Sequence, residues 1–300
     1  MKFNRINDLY FKQLMGDPHR KNLTLNFLNS ILINDDDKGH FFTDLTFDDK
    51  DIEPNLIDGK LSKLDIKATL NDGSIVDIEV QVCPYELMAE RSLYYWSRMY
   101  ADELDKGEEY KLLKRAITIN LLNFNYLKEE SGWHNTYKVL NVKSHNLLTS
   151  HLEMHFLELP KFTFKDIRKL RESEKWMMYF SGDYTEKDME VLAMNSPAIK
   201  EALNFEKEFN QDKESLRKYE LREKAVKDYY SFLSAERELG EKRGHEKGKI
   251  EGRKEGIEIG EKRKSMNIAK NLLKAGIDIN LIKTSTGLSD EELIALKNSI

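Results

Sequence analysis

Two short runs of alternating residues carry the side chains in this sequence best suited to chemistry. In the first, Leu64, Ile66, Ala68 and Leu70 alternate with Asp65, Lys67 and Thr69. In the second, Val76, Ile78, Val80 and Val82 alternate with Asp77, Glu79 and Gln81. Each run predicts a strand with one apolar and one polar face. Asn71-Asp72-Gly73 lies between them and is a turn signal. A three-residue loop pairs Leu70 with Ser74 and therefore Asp65 with Glu79. It also puts glycine where the third loop residue must be left-handed. A two-residue loop would set Asp65 against Val80 and mix the faces, which burial disfavours.

Two carboxylates facing each other, with Cβ atoms about 5 Å apart, repel unless a cation lies between them. Hard oxygen ligands suit Mg2+ or Mn2+, which retain waters and accept phosphate oxygens. Such an ion polarises a phosphodiester and activates water as a nucleophile. Asp65 and Glu79 are thus candidate metal ligands and catalytic residues. Gln81 points the same way and could orient water or phosphate. The competing reading is a solvated hairpin face with incidental acids, and the pattern alone does not separate the two.

The elements around this hairpin follow from periodicity. A helix is expected through HRKNLTLNFLNSIL, with Asp17 as N-cap, Pro18 in its first turn and the run NDDDKGH as its stop. Another is expected from Tyr85 to Asp105, ending at Gly107. It carries Arg91, Tyr95 and Arg98 on one face, where arginines and an aromatic could hold a DNA backbone. Equally, Tyr95 could pack in the core with the arginines paired to Glu90 or Asp102. Further strands are expected at Ala116–Phe124, His134–Val142 and His151–Leu159. The last contains HLEMH, in which the glutamate is misplaced for a zinc-binding HExxH helix. From Asp166 to about Leu239 the pattern is helical, with Trp176–Phe180 packing back on the sheet. A compact α/β core followed by helices results.

Composition bounds the function. A net charge of −5 advertises no global polyanion field, so any DNA surface must be a local basic patch. Cys83 is the only cysteine, which excludes an internal disulfide and a thiolate cluster. No apolar run reaches membrane-spanning length and the start lacks a secretory core, so a soluble cytoplasmic protein is expected.

The final sixty residues differ in character. Gly240, Gly244, Gly248, Gly252, Gly256 and Gly260 recur every fourth residue in a highly charged run. On a helix they form one slowly drifting stripe, at a cost of about 1 kcal/mol each against alanine. An exposed helix packing its glycine face on a second copy is expected, hence a homodimer. A mobile charged tether is the alternative. Three short helices follow, broken at Gly276 and Gly287. Their spacing invites a helix-turn-helix, but the acidic start of SDEELIALKN opposes phosphate contact. A small helical cap or dimerisation unit is the preferred reading. The expected organisation is a core over 1–235, the glycine-periodic helix over 236–264 and the helical unit over 265–300.

Asp65 followed by Glu79-Val80-Gln81 resembles the D…ExK arrangement of PD-(D/E)XK nucleases, with glutamine in the lysine place. More specifically, FKQLMG, FLNSIL, KLDIKATLNDGSIVDIEVQV, ERSLYYWSRMYADEL, ITINLLNF and the glycine-periodic tail resemble the Rpn family of recombination-promoting nucleases. The resemblance implies a restriction-endonuclease-like mixed sheet with helices and an α-helical C-terminal extension. It also implies magnesium-dependent DNA endonuclease activity linked to recombination or mobile elements. The other function class to weigh is a degenerate nuclease fold kept for DNA binding or oligomeric interaction.

Overall fold

A computed structural model of the protein describes residues 3–33, 41–48, 66–182 and 184–299. Asp65 and the expected helix stop at NDDDKGH lie outside the described residues. By its internal contacts the chain divides into Met1–Lys227 and Asp228–Ile300.

The first unit is built on a six-stranded mixed sheet. Its strands are β1 (Leu45–Phe47), β2 (Ile66–Leu70), β3 (Ile75–Gln81), β4 (Ala116–Leu122), β5 (His134–Leu140) and β6 (Leu147–Glu158), in the order β1-β2-β3-β4-β6-β5. β2 and β3 form the expected hairpin: Ile66 pairs with Ile78, Lys67 with Asp77, Ala68 with Val76 and Thr69 with Ile75. The Leu70 amide donates to the Ser74 carbonyl at 2.8 Å, and Gly73 adopts φ 85°, so the loop has three residues. This is the register that the alternation of faces required.

β3, β4 and β6 are parallel neighbours. A parallel pair needs a crossover, and between β3 and β4 it is α3 (Met88–Ala101). On one face of the sheet Ile66, Ala68, Val76, Ile78, Val80, Ile117, Ile119, Leu121 and Leu157 join the main core. That core is completed by α1 (Asp8–Met15), α2 (Lys21–Leu32), α4 (Glu172–Ser181) and α6 (Pro197–Gln211). Trp176–Phe180 pack there as expected. α5 (Glu186–Asn195) links α4 to α6 and adds Met189 and Leu192. α3 covers the opposite face through Tyr95 and Met99 on Ile75, and through Met88 near Leu122, Met154 and Phe156.

Several boundaries differ from the sequence expectation. α1 was not expected, although the Asn7 side chain caps it by accepting from the Leu9 and Tyr10 amides, a contribution of about 1 kcal/mol. β1 is only three residues long and pairs with β2. Asp17 caps a single 3-10 turn, Pro18–Arg20, before α2 proper. α3 starts at Met88 and its C-cap is Asp102, while Gly107, at φ 98°, turns the loop beyond.

The helical C-terminal part holds a larger surprise. α7 runs unbroken from Lys213 to Lys274 over 62 residues, so the expected boundary at 235 has no break in secondary structure. Among the described residues, a Cβ at any of the six periodic glycines meets nothing within 4 Å, so none of these residues covers the stripe. In the second unit the end of α7, α8 (Ile279–Thr286) and α9 (Asp290–Asn298) enclose Ala269, Ile282, Leu288 and Leu293. Gly276 and Gly287 take left-handed φ of 75° and 70° at the two breaks, where a side chain would be strained. Ser289 and Glu292 form a capping box that starts α9. Among the described residues no helix is long and apolar enough to cross a membrane.

Candidate functional site

The polar residues of β3 lie under α3. Asp77 and Glu79 are 1% and 3% exposed, respectively, although they are the most strongly hydrated residues of the strand. Their parallel neighbours in β4 are Thr118 and Asn120. Thr118 and Ser92 of α3 share a hydrogen bond of 2.9 Å, and the Asn120 side-chain amide donates to Ser92 Oγ at 3.0 Å and to the His155 carbonyl at 3.1 Å. The polar layer is therefore hydrogen-bonded, and each such bond is worth about 1 kcal/mol net. Sequence reading missed this layer, although an asparagine in the middle of AITINLL was a visible signal.

Glu79 is held by α3 as well. Arg91 Nη2 donates to Glu79 Oε2 at 3.0 Å, and the Arg91 guanidinium carbon lies 5.3 Å from the Tyr95 ring centre. Arg91 thus pairs across elements with Glu79. Tyr95 is buried against Ile75 and Met99. This corrects the expectation that its ring serves DNA: the ring faces the core. Arg98 is half-buried, and its Nε finds no hydrogen-bond partner among the described residues. Gln81 ends β3, half-buried, on the same face as Glu79. Asp65, one position before Ile66 in sequence, lies outside the described residues.

The donors on Asp77, Glu79, Gln81, Ser92, Thr118 and Asn120 are carboxylate, amide and hydroxyl groups. That chemistry fits a hard dication. Among the described residues no three His, Cys, Asp or Glu side chains converge as a ready ligand cluster. Any ion here therefore needs a further ligand from outside the described residues, or waters and substrate oxygens.

A second polar cluster occupies the other face, at the β5–β6 edge. His155 Nε2 and Glu153 Oε1 lie 2.9 Å apart, and His155 Nδ1 and His134 Nε2 lie 2.8 Å apart. Thr136 Oγ1 is 3.2 Å from the same Nδ1. Glu153 also pairs with Arg115, and with Lys138 at 3.2 Å. Burial, followed by the charge of its His155 neighbour, pushes the His134 imidazole down to about 4. Burial also lowers His155, against the pull of Glu153. Burial raises Glu153, but the His155 hydrogen bond and Arg115 outweigh it and bring it to about 2. At neutral pH this is an ionised carboxylate accepting from a neutral His155. That leaves Nδ1 of His155 as the acceptor for His134. The HLEMH segment is a strand, as its pattern implied, and its two histidines meet different elements, His155 bonding to His134 of β5 and His151 to Tyr100 of α3.

Comparison with known families bears on both units. Residues 5–236 match the PD-(D/E)XK nuclease family transposase model. Residues 262–298 match the Rpn/YhgA-like nuclease family, C-terminal HTH domain. No curated protein and no solved structure matches the chain. The second match names as helix-turn-helix the segment for which acidic residues had favoured a cap. Two of those acids are paired within the unit, Glu292 with Lys262 at 2.6 Å and Asp290 with Lys283 at 2.5 Å. The first match spans most of the chain and includes the whole mixed sheet with its polar central hairpin. The chain therefore belongs to the PD-(D/E)XK nuclease family transposases, in an Rpn-type form with a C-terminal helix-turn-helix domain.

Proposed function

We propose that this protein is a magnesium-dependent DNA endonuclease serving recombination or the movement of mobile elements. The observation that carries the reading is Glu79: a carboxylate buried in the central β-hairpin, set beside a second buried acid and capped by an arginine. Burying two carboxylates on one strand face is costly without a function or a compensating cation. Asp65 and Glu79 would hold the ion, with Gln81 beside them to orient water or a phosphate oxygen. When bound, Mg2+ or Mn2+ supplies Lewis acidity to the phosphodiester and to the attacking water. Water adds to phosphorus, one P–O ester bond breaks, and the products are a phosphate monoester and a free hydroxyl. Arg91 and Arg98 lie on the helix over this face and are the cations to meet the DNA backbone.

The second reading is a binding module in which the nuclease site is degenerate and the C-terminal domain does the work. It is favoured by Gln81 in the lysine place and by the helix-turn-helix match. Plasmid nicking with Mg2+ or Mn2+ separates the two, comparing the parent with Glu79→Gln and Asp65→Ala. Cleavage by the parent that both substitutions abolish supports the nuclease. Equal cleavage by all three, or none by the parent across dications and salt, sinks it.

A further inference from the structure

The site lacks a cation where the motif that it resembles has lysine, because Gln81 is neutral. We propose that Arg91 fills that deficit from the other side: α3 delivers its guanidinium to Glu79, and on DNA binding that same group contacts the scissile phosphate. This deepens the nuclease reading and rests on it.

Three observations place the charge there. Arg91 Nη2 is 3.0 Å from Glu79 Oε2, and the arginine side chain is 30% exposed while the carboxylate is 4% exposed. The cation therefore stands at the boundary between the buried acid and solvent, where an incoming phosphate arrives. Its plane is steadied by Tyr95, which is fixed in the core. The neighbouring Ser92 is tied to Thr118 and Asn120, so the helix cannot turn Arg91 away without breaking buried hydrogen bonds. A guanidinium suits the task better than an ammonium. Its planar fork presents several N–H donors, so one edge can hold a carboxylate while another meets phosphate oxygens. Lys67 is another cation on this face, but its register partner is Asp77 and its ammonium lies 3.5 Å from Asp48. It is one pair removed from Glu79.

During hydrolysis negative charge grows on the non-bridging phosphate oxygens, and a preorganised cation there lowers the barrier most in a site with little water. The role therefore falls on the chemical step more than on binding. The test uses the full chain and three variants: Arg91→Met, Arg91→Lys, and Arg91→Met combined with Gln81→Lys. Single-turnover plasmid cleavage is measured with Mg2+, duplex affinity is measured in EDTA, and thermal melting reports folding. Arg91→Met is expected to cut the cleavage rate by about 100-fold with metal-free DNA affinity changed by less than about threefold. Arg91→Lys should fall between that variant and the parent. Adding Gln81→Lys should recover about tenfold or more of the loss, since it restores charge from the strand side. The proposal is overturned if Arg91→Met cleaves within about threefold of the parent, or if the double variant melts normally yet gains nothing. A parent that cleaves while Arg91→Met is unaffected removes the arginine alone. A parent that never cleaves removes the nuclease reading together with it.

Discussion

The cluster on the far side of the sheet makes the first unit's stability depend on pH in a calculable way. His134 is held near 4, against an ordinary value of 6.5, chiefly by burial. His155 is depressed in the same direction. A depressed histidine binds its proton more readily in the unfolded chain, so stability rises with pH between the folded and unfolded values. The stabilisation is complete above 6.5 and is lost as pH falls toward 4. At pH 5 an unfolded histidine is almost fully charged, whereas His134 is about one-tenth charged; the difference between pH 7 and pH 5 is about 2 kcal/mol from this residue alone. His155 adds to it, and Arg115, Lys138 and Arg171 oppose protonation of the pair further. Glu153, lowered to about 2 from 4.5, gives a second loss that begins only below pH 4.5. Urea unfolding followed by tryptophan fluorescence measures this, because Trp96, Trp133 and Trp176 all lie in the first unit. His134→Gln keeps a donor toward His155 but cannot titrate. It should shrink the loss between pH 7 and pH 5 by about 2 kcal/mol. If parent and variant lose equal stability over that interval, the depressed histidine is not the cause.

Further expectations follow from the other elements. Removing either proposed ligand, by Asp65→Ala or Glu79→Gln, should lower Mg2+-dependent cleavage at least 100-fold, on the order seen for loss of a main electrostatic group, in a nicking assay that leaves melting unchanged. Arg263, Lys270 and Lys274 are exposed on the last turns of α7, within the matched C-terminal segment. If they neutralise phosphates, replacing all three by alanine should reduce the slope of log K against log salt by about 3; fluorescence anisotropy giving an unchanged slope excludes that face. The uncovered glycine stripe is expected to pair with a second chain, which light scattering at tens of micromolar would report as a dimer. Gly248→Leu with Gly252→Leu should convert it to monomer, and a monomeric parent refutes the pairing.

How much of this could be read from the chain varies by element for physical reasons. The β2–β3 register was legible because strand periodicity, a turn with a left-handed glycine and the burial of one face all required the same pairing. β4, β5 and β6 were legible as apolar or alternating runs. α1 was missed because eight residues give little periodicity, and β1 because three residues give none. In the site, the polar stripe of β3 was visible but its burial was not, since burial depends on which helix crosses over it. The arginine face of α3 was likewise visible, yet its partner was not. Helical spacing names neighbours on one helix, and Glu79 belongs to another element. The His134–His155–Glu153 chain joins residues from two strands across a sheet register, information that local spacing does not hold. The glycine-periodic helix was legible from its charged four-residue repeat, but its unbroken continuity with the helix before it was not, since six glycines argue locally for a break.

The position of Arg91 is the consequence of a second stripe on the same helix. Ala89, Ser92, Trp96 and Tyr100 fall at i, i+3, i+7 and i+11, and each is tied down. The Ala89 amide donates to Tyr126 Oη at 2.9 Å, Ser92 Oγ bonds Thr118, Trp96 Nε1 donates to the Ala116 carbonyl at 2.9 Å, and Tyr100 Oη meets His151 Nδ1 at 2.9 Å. These contacts are to β4, to β6 and to the loop after β4, so this stripe faces the far half of the sheet. Successive residues on a helix are about 100° apart, so fixing that stripe aims Arg91, Tyr95 and Met99 back toward β3. Tyr95 and Met99 then bury on Ile75 while Arg91 reaches Glu79. Rotating α3 by a single residue would sever these hydrogen bonds and withdraw the guanidinium that pairs with Glu79. The charge at the acid is thus set by contacts that never touch it, and that is why strand residues alone could not disclose the site's electrostatics.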